Sequence, residues 1–503
     1  MVQRLLSALI FMIVLVNIVW QCRYNPDLIP KLSNSDALYL PAIFADIFSH
    51  RSSINDWYLT PAPYFFPDYF IYSIAYLLSV SAYQSIIVYA IIQNALLFVG
   101  LIFISSQVAE PNGRNVAVAI ISALIWFACG IGLPTYSPFG YNLASAHHYG
   151  EFVSTILLIG LLISIVRDEG CYIKRIFAIS TIAFLSALSD NLFIVHFLAP
   201  LLIVAALYGL KINNISKRSL LCVGLIICST IAGSAFYSLL VKHQTRYKIN
   251  LGVDGFYTNI KQITGTFIDV LHSAPIYSIF LAIYATALLD LMRRLMIKRS
   301  DLGILDLVVL FSVFSILLTI TVVCLVSDQP FTGRYLIPCF TWPIIVSFFL
   351  VGSVASRGRV LVLSVSTTLF LASLTVATAG LIEKNGASIE FYPNDIACID
   401  SNLSQLEVSS GIAGYWDSKY IQVFSRLDLN LAQHSGNIVE QRWITSSNYF
   451  RPTYDFAVIN DIEPSDIKIS IDALYKINGP PISVVSCGQY QLLIYGHGKL
   501  RNR

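Results

Sequence analysis

Long apolar runs separated by short polar turns fill residues 1–382, and after 383 the pattern changes to short alternating runs between turn-rich stretches. A membrane-crossing helix needs about 20 mostly apolar residues. Stretches of that kind lie at 5–22, 83–106, 115–133, 151–166, 176–189, 191–210, 219–240, 275–292, 304–326, 335–354 and 360–382. In the tail, Ile412 to Tyr420, Asp455 to Asn460 and Ile482 to Tyr495 have β-type character. The pattern predicts an α-helical polytopic membrane protein with about 11 transmembrane helices over 1–382. A small C-terminal extracytoplasmic α/β domain follows over 383–503.

The first apolar run resembles a secretory signal, but it ends in Val19-Trp20-Gln21-Cys22 without a small-residue cleavage site, so it is expected to remain as a helix. Stretch 61–82 is the ambiguous piece. If it crossed the membrane, the basic loops at Arg114, Arg167 to Arg175, Lys211 to Arg218, Arg293 to Arg299 and Arg357 to Arg359 would leave the side that holds Arg4. Cytoplasmic loops carry the excess of Lys and Arg. The aromatic, proline-containing 61–82 segment is therefore read as interfacial, inside a first outer loop spanning 23–82. The loops at 134–150, 241–274 and 327–334 and the whole tail fall on the same outer side.

Composition agrees with this topology and removes other classes. Apolar residues make up 56% of the 503, charged residues 12%, and the mean hydropathy is +0.69, where soluble proteins carry about 25% charged residues. The net charge of +3 is not concentrated into a basic face, so nucleic acid is not an expected partner. Most of the nine cysteines are scattered singly through apolar runs, as small buried hydrophobes. Cys398 and Cys487 are the only two in the tail, and an oxidising compartment would make a disulfide between them plausible.

The scarce polar residues gather on the outer side. In Lys31-Leu-Ser-Asn-Ser-Asp36, Ser35 is placed to cap a helix that carries Asp36 in its first turn and an apolar stripe of Leu40, Ile43, Phe44 and Ile47. That helix is expected to lie on the membrane with Asp36 at its entrance, a suitable place for a general base; Asp46 and Asp56 read as solvated. In the second outer loop His147 and His148 precede Glu151, and the i, i+3 spacing of His148 and Glu151 would let imidazole and carboxylate converge on one divalent cation (Mg, Mn or Zn). Asp190 and Asn191 sit at the outward turn of a helical hairpin, where an ionisable group is a functional candidate. His196, further into the span, reads as a packing histidine. Arg334 in the loop Ser327 to Pro338 is shaped to grip a phosphate, and Lys242, His243, Arg246 and Lys248 add basic character to the third outer loop.

The order of these parts resembles the GT-C superfamily of integral-membrane glycosyltransferases: one helix, a long outer loop opening at Asp36, Asp56-Trp57 followed by prolines and an aromatic interfacial helix, then many spans and an outer tail. It looks most like the branch of aminoarabinose and mannosyl transferases that use polyprenyl-phosphate sugars. The resemblance implies that Asp36 is the essential acidic residue, that His148 and Glu151 help hold a divalent cation, and that Arg334-Tyr335-Leu336-Ile337-Pro338 contacts the lipid phosphate. It further implies transfer of a sugar to a glycan, lipid or protein acceptor among membrane lipids; the short chain with compact loops fits a bacterial inner membrane better than an endoplasmic-reticulum location. Relatives often carry Lys or Glu just before the proline of the interfacial helix, whereas this chain reads Phe65-Phe66-Pro67-Asp68; Arg334 or the third-loop bases would then supply the phosphate contact. A transporter or flippase of lipid-linked glycans would predict repeated halves or deep charges, and a polysaccharide polymerase or ligase would predict arginine-rich outer loops.

Overall fold

The computed structural model describes residues 2–49, 51–109, 112–130, 137–167, 172–212, 217–240, 253–297, 302–325, 332–354, 358–406, 408–462 and 468–502. The chain divides into two compact units: a helical unit of residues 1–29, 61–71 and 89–387, and a tail unit of residues 30–60, 72–88 and 388–503. The second boundary lies close to the expected one at 382/383. The composition shift does not reveal that two pieces of the first outer loop belong with the tail.

The helical unit is built from the apolar runs. Among the described residues eight helices are long and apolar enough to cross a membrane, or nine if Gly255–Ser273 and Tyr277–Met296, bent by 119°, count as one span. The protein is thus an integral, multi-pass membrane protein. The shortfall from about 11 has a simple origin in length. Gly113–Cys129 has 17 residues, and at ~1.5 Å per residue it reaches only about 26 Å, against the roughly 30 Å of a hydrocarbon core. The apolar helix Ile194–Leu210 is similarly short. Interfacial character for 61–82 agrees in length: a turn at Phe65–Tyr69 leads into Phe70–Leu77, eight residues, too few to cross.

The tail unit is α/β. Its six-stranded sheet comprises β1 (Ser410–Ala413), β2 (Asn430–Ser435), β3 (Val439–Glu440), β4 (Phe456–Asn460), β5 (Ser483–Cys487) and β6 (Tyr490–Ile494), in the order β3-β2-β1-β4-β6-β5. β1 runs parallel to β2 and β4, with Ile412 opposite Ala432 on one side and Ala457 on the other. A parallel neighbour requires a crossover, and the helix Tyr415–Phe424 supplies it between β1 and β2. Glycine is needed at Gly411, where a Cβ would meet the Phe456 ring at 2.5 Å. Ile412, Ala457, Ile459, Leu474 and Leu493 form the core under the sheet. Cys398 and Cys487 are disulfide-bonded with Cα atoms 5.5 Å apart, joining the helix Asn394–Leu403 to the end of β5.

The first-loop pieces add to this unit. Trp57–Tyr58 pairs antiparallel with Thr445–Ser446, and Tyr83 stacks on Phe391 with ring centroids 4.0 Å apart. The helix Tyr39–Phe48 does not present a one-sided apolar stripe: Tyr39 to Phe44 are all buried, and so is Asp46.

Candidate active site

The segment around Asp36 is fixed by its neighbours in sequence. Asn34 takes the capping role expected of Ser35, because its Oδ1 accepts the backbone N–H groups of both Asp36 and Ala37, at 3.0 Å each. Asparagine readily makes such a turn with the backbone two residues on, and the regular helix begins only at Tyr39. Ser35 instead donates its hydroxyl to the Tyr415 carbonyl. Asp36 is half-buried, and its Oδ1 accepts the hydroxyl of Tyr415 from the first turn of the crossover helix. One turn on, the Lys419 ammonium lies 4.4 Å from the centroid of the Tyr415 ring, with only 3% of the residue exposed. Burial pushes this amine down to about 7, and the charge of Asp36 pulls it the other way.

Asp46, expected to be solvated, is fully buried and shared among three donors: Tyr449 Oη at 2.5 Å, Trp57 Nε1 at 3.2 Å and the Arg51 guanidinium at 3.3 Å. Burial raises its carboxyl above the usual range, against the pull of Tyr449 and Arg51. Arg51 and Trp57 are near in sequence, but Tyr449 is 403 positions away, and local pattern offered no sign of it. Asp56 stays partly exposed in a reciprocal cap with Ser53.

A second polar cluster occupies the helical unit. His148 does not continue the helix that starts at Tyr149; it is its N-cap, with φ at +66°. The i, i+3 argument for His148 and Glu151 fails there, since it requires both residues to be helical. His148 Nδ1 donates to Asp190 Oδ2 at 2.5 Å, and Nε2 lies 3.2 Å from the hydroxyl of Tyr64. Glu151 is taken elsewhere: its Oε2 receives His196 Nδ1 at 2.7 Å and its Oε1 receives the Thr155 hydroxyl at 2.9 Å. Among the described residues no group of three or more His, Cys, Asp and Glu side chains is gathered as for a metal ion. His148 and Glu151 are thus each held by a different partner, Asp190 and His196.

The other predicted residues fall around this cluster. Asp190 is 3% exposed, while Asn191 faces outward. His147 is buried, its Nδ1 bound to the Ser145 carbonyl at 2.6 Å and its ring stacked on Tyr141. Arg334 is half-buried beside Tyr335, whose ring centroid is 5.4 Å from that of His148. Lys242, His243, Arg246 and Lys248 lie outside the described residues.

Asp68, noticed in sequence only as a departure, is a member of the cluster. It is 2% exposed and receives Tyr89 Oη at 2.6 Å and the Ala146 N–H at 3.1 Å. Burial raises its carboxyl to about 6 against those donors. A Cβ on Gly150 would lie 2.3 Å from its Oδ2, so glycine is required for the carboxylate to sit against this helix. Tyr64, Ala146 and His148 all have left-handed backbone, with φ of 60°, 57° and 66°. Such strain persists in non-glycine residues only where the surroundings impose it, and it concentrates at functional sites.

No family model and no curated protein matches the chain. Solved structures do. The chain is similar to ArnT from Cupriavidus metallidurans bound to undecaprenyl phosphate, with 12% identity, a TM-score of 0.57 and coverage of 99% of both chains. It is similar to the same protein in the apo state, at 13% identity and a TM-score of 0.53, over 99% of this chain and 98% of that one. The likeness is one of fold, and it runs through the spans and the tail alike.

Proposed function

We propose that the protein is a membrane glycosyltransferase that moves a sugar from a polyprenyl-phosphate donor to a glycan, lipid or protein acceptor on the outer face of the membrane. The observation that carries the reading is the end-to-end sharing of fold with an undecaprenyl-phosphate-bound ArnT, in a chain whose first outer loop holds Asp36 against a hydroxyl donor. Asp36 is the assigned base. It takes the proton of the acceptor hydroxyl as that oxygen bonds to the anomeric carbon, the bond from that carbon to the phosphate oxygen breaks, and the polyprenyl phosphate leaves with the electron pair. General-base help of this kind contributes about 10²- to 10⁴-fold.

Arg334 is assigned to the phosphate, because a guanidinium can pair two N–H donors with two phosphate oxygens. His148, with Nδ1 committed to Asp190, presents Nε2 as its second polar atom beside Tyr64 and Tyr335. A bacterial inner membrane with a periplasmic tail is the assigned location, supported by the Cys398–Cys487 disulfide, which belongs in an oxidising compartment.

The test is transfer from a radiolabelled undecaprenyl-phosphate sugar in proteoliposomes. Asp36→Asn is expected to lower turnover at least about 100-fold while the variant still incorporates and unfolds like the parent. Undiminished turnover in that variant would remove Asp36 from the chemistry.

A further inference from the structure

A carboxylate at a site entrance can serve as a base only if it stays ionised and keeps its orientation, and the structure gives Asp36 two helpers from far along the chain. Its Oδ1 receives the hydroxyl of Tyr415, 379 residues away. Tyr415 is itself anchored, since its carbonyl accepts the Ser35 hydroxyl from the residue next to Asp36. Lys419 is placed one turn further on the same helix, with its ammonium 4.4 Å above the Tyr415 ring. A lysine only 3% exposed is costly to keep, because burial disfavours its charge. A cation over the ring face is attracted by the ring quadrupole and makes the phenol a stronger donor to Asp36. The same positive charge favours the ionised carboxylate directly.

We propose that Tyr415 and Lys419 are positioning residues of the transferase: the C-terminal domain, through one helix, orients Asp36 and keeps it ionised. The proposal rests on the reading of Asp36 as the base. Tyr415 fixes which carboxylate oxygen is engaged, and Lys419 acts through Tyr415 and through its charge. Four other charged or titratable groups on the packed elements have partners of their own. Asp417, on the same helix, is bound by Asn460 and Tyr490. Asp46, on Tyr39–Phe48, is bound by Tyr449, Trp57 and Arg51. His434 on β2 has its Nδ1 on the Ala432 carbonyl, and Glu440 on β3 pairs with Arg442. The burial of Lys419 is opposed by the charge of Asp36.

The experiment compares Tyr415→Phe, Lys419→Met and Lys419→Arg in the full chain, measuring kcat and donor KM across pH in the radiolabel assay. Losing a hydrogen bond to the charged form, or a nearby cation, raises a carboxyl pKa. Tyr415→Phe is therefore expected to lower kcat about 10- to 100-fold, to leave donor KM within about twofold, and to move the acidic limb of kcat/KM to higher pH. Lys419→Met should move the limb the same way by a smaller amount, and Lys419→Arg, which keeps the cation, should restore it toward the parent position. A merely structural pair would scale kcat without moving the limb, and that result overturns the proposal. So does a parent-like profile in Tyr415→Phe when Asp36→Asn is inactive. Retained turnover in Asp36→Asn instead defeats the base assignment on which this proposal stands.

Discussion

The two units satisfy their buried carboxylates with different chemistry. In the helical unit two of them are joined to imidazoles, Asp190 to His148 and Glu151 to His196, while Asp68 is held by the Tyr89 hydroxyl and the Ala146 N–H. In the tail unit the partners are mostly hydroxyls, indoles and backbone N–H groups: Tyr415 for Asp36, Tyr449 and Trp57 for Asp46, Asn460 and Tyr490 for Asp417, and three backbone N–H groups and the Ser410 hydroxyl for Asp455. An imidazole and a carboxylate can share one proton and carry no net charge, which lowers the cost of burial in a setting poor in water. Hydroxyl and N–H donors do the opposite, since they hold the ionised form. Asp36, held by the Tyr415 hydroxyl, is a carboxylate of this second kind.

Breaking an imidazole pair is the harshest test of this contrast. His196→Ala leaves Glu151 buried with Thr155 as its hydrogen-bond partner among the described residues, and removing one member of a buried pair costs about 3–5 kcal/mol. Unfolding by SDS in mixed micelles should show that loss. Adding Glu151→Gln to His196→Ala should return most of it, because the stranded charge is gone. If the double variant is no more stable than the single, Glu151 is not held as a charge-sharing pair and the contrast between the units collapses.

The tail unit relies on a covalent closure where the helical unit relies on such pairs. Cys398 and Cys487 are 89 residues apart, and removing a native disulfide from a small domain costs about 2–5 kcal/mol. With both cysteines changed to serine, amide exchange in full-length protein should accelerate across β5, β6 and the helix Asn394–Leu403. The spans should keep parent rates. Equal acceleration in both units would show that they open together, and their separate stabilising chemistries would lose meaning.

How far these features are legible in sequence depends on the distance of the partner. Hydropathy located the spans because each is a local run, and the count differs where a run such as Gly113–Cys129 forms a helix of only 17 residues. Asp36, His148, Glu151, Asp190 and Arg334 stood out because ionisable groups are scarce beside apolar runs. Their partners did not. Asp36 and Tyr415 are 379 residues apart, and His148 and Asp190 meet across two helices. Asp46 looked solvated because the spacing of the Tyr39–Phe48 helix carries no trace of Tyr449. The exchange of Ser35 for Asn34 as the cap is of another kind, since both residue types cap well and only a competing acceptor, the Tyr415 carbonyl, decides between them.

The mildest expected effect is also the one with a definite sign in pH. Asp455 is buried enough to be pushed upward, yet the N–H groups of Gly498, Ser410 and Ser409 and the Ser410 hydroxyl together bring it below the ordinary carboxylate range. An acid whose folded pKa is depressed stabilises the fold above its unfolded value, near 3.8, and loses that contribution as pH falls through the folded value. Asp455→Asn should therefore cost about 1–2 kcal/mol at pH 7, read as faster amide exchange around β1 and the 495–498 turn. The difference from the parent should shrink at a pH below the folded pKa of Asp455, where the native carboxyl is protonated as well. A gap that stays constant down to that pH would mean the carboxylate charge is not what the N–H groups hold, and the tail's donors would then act by shape alone.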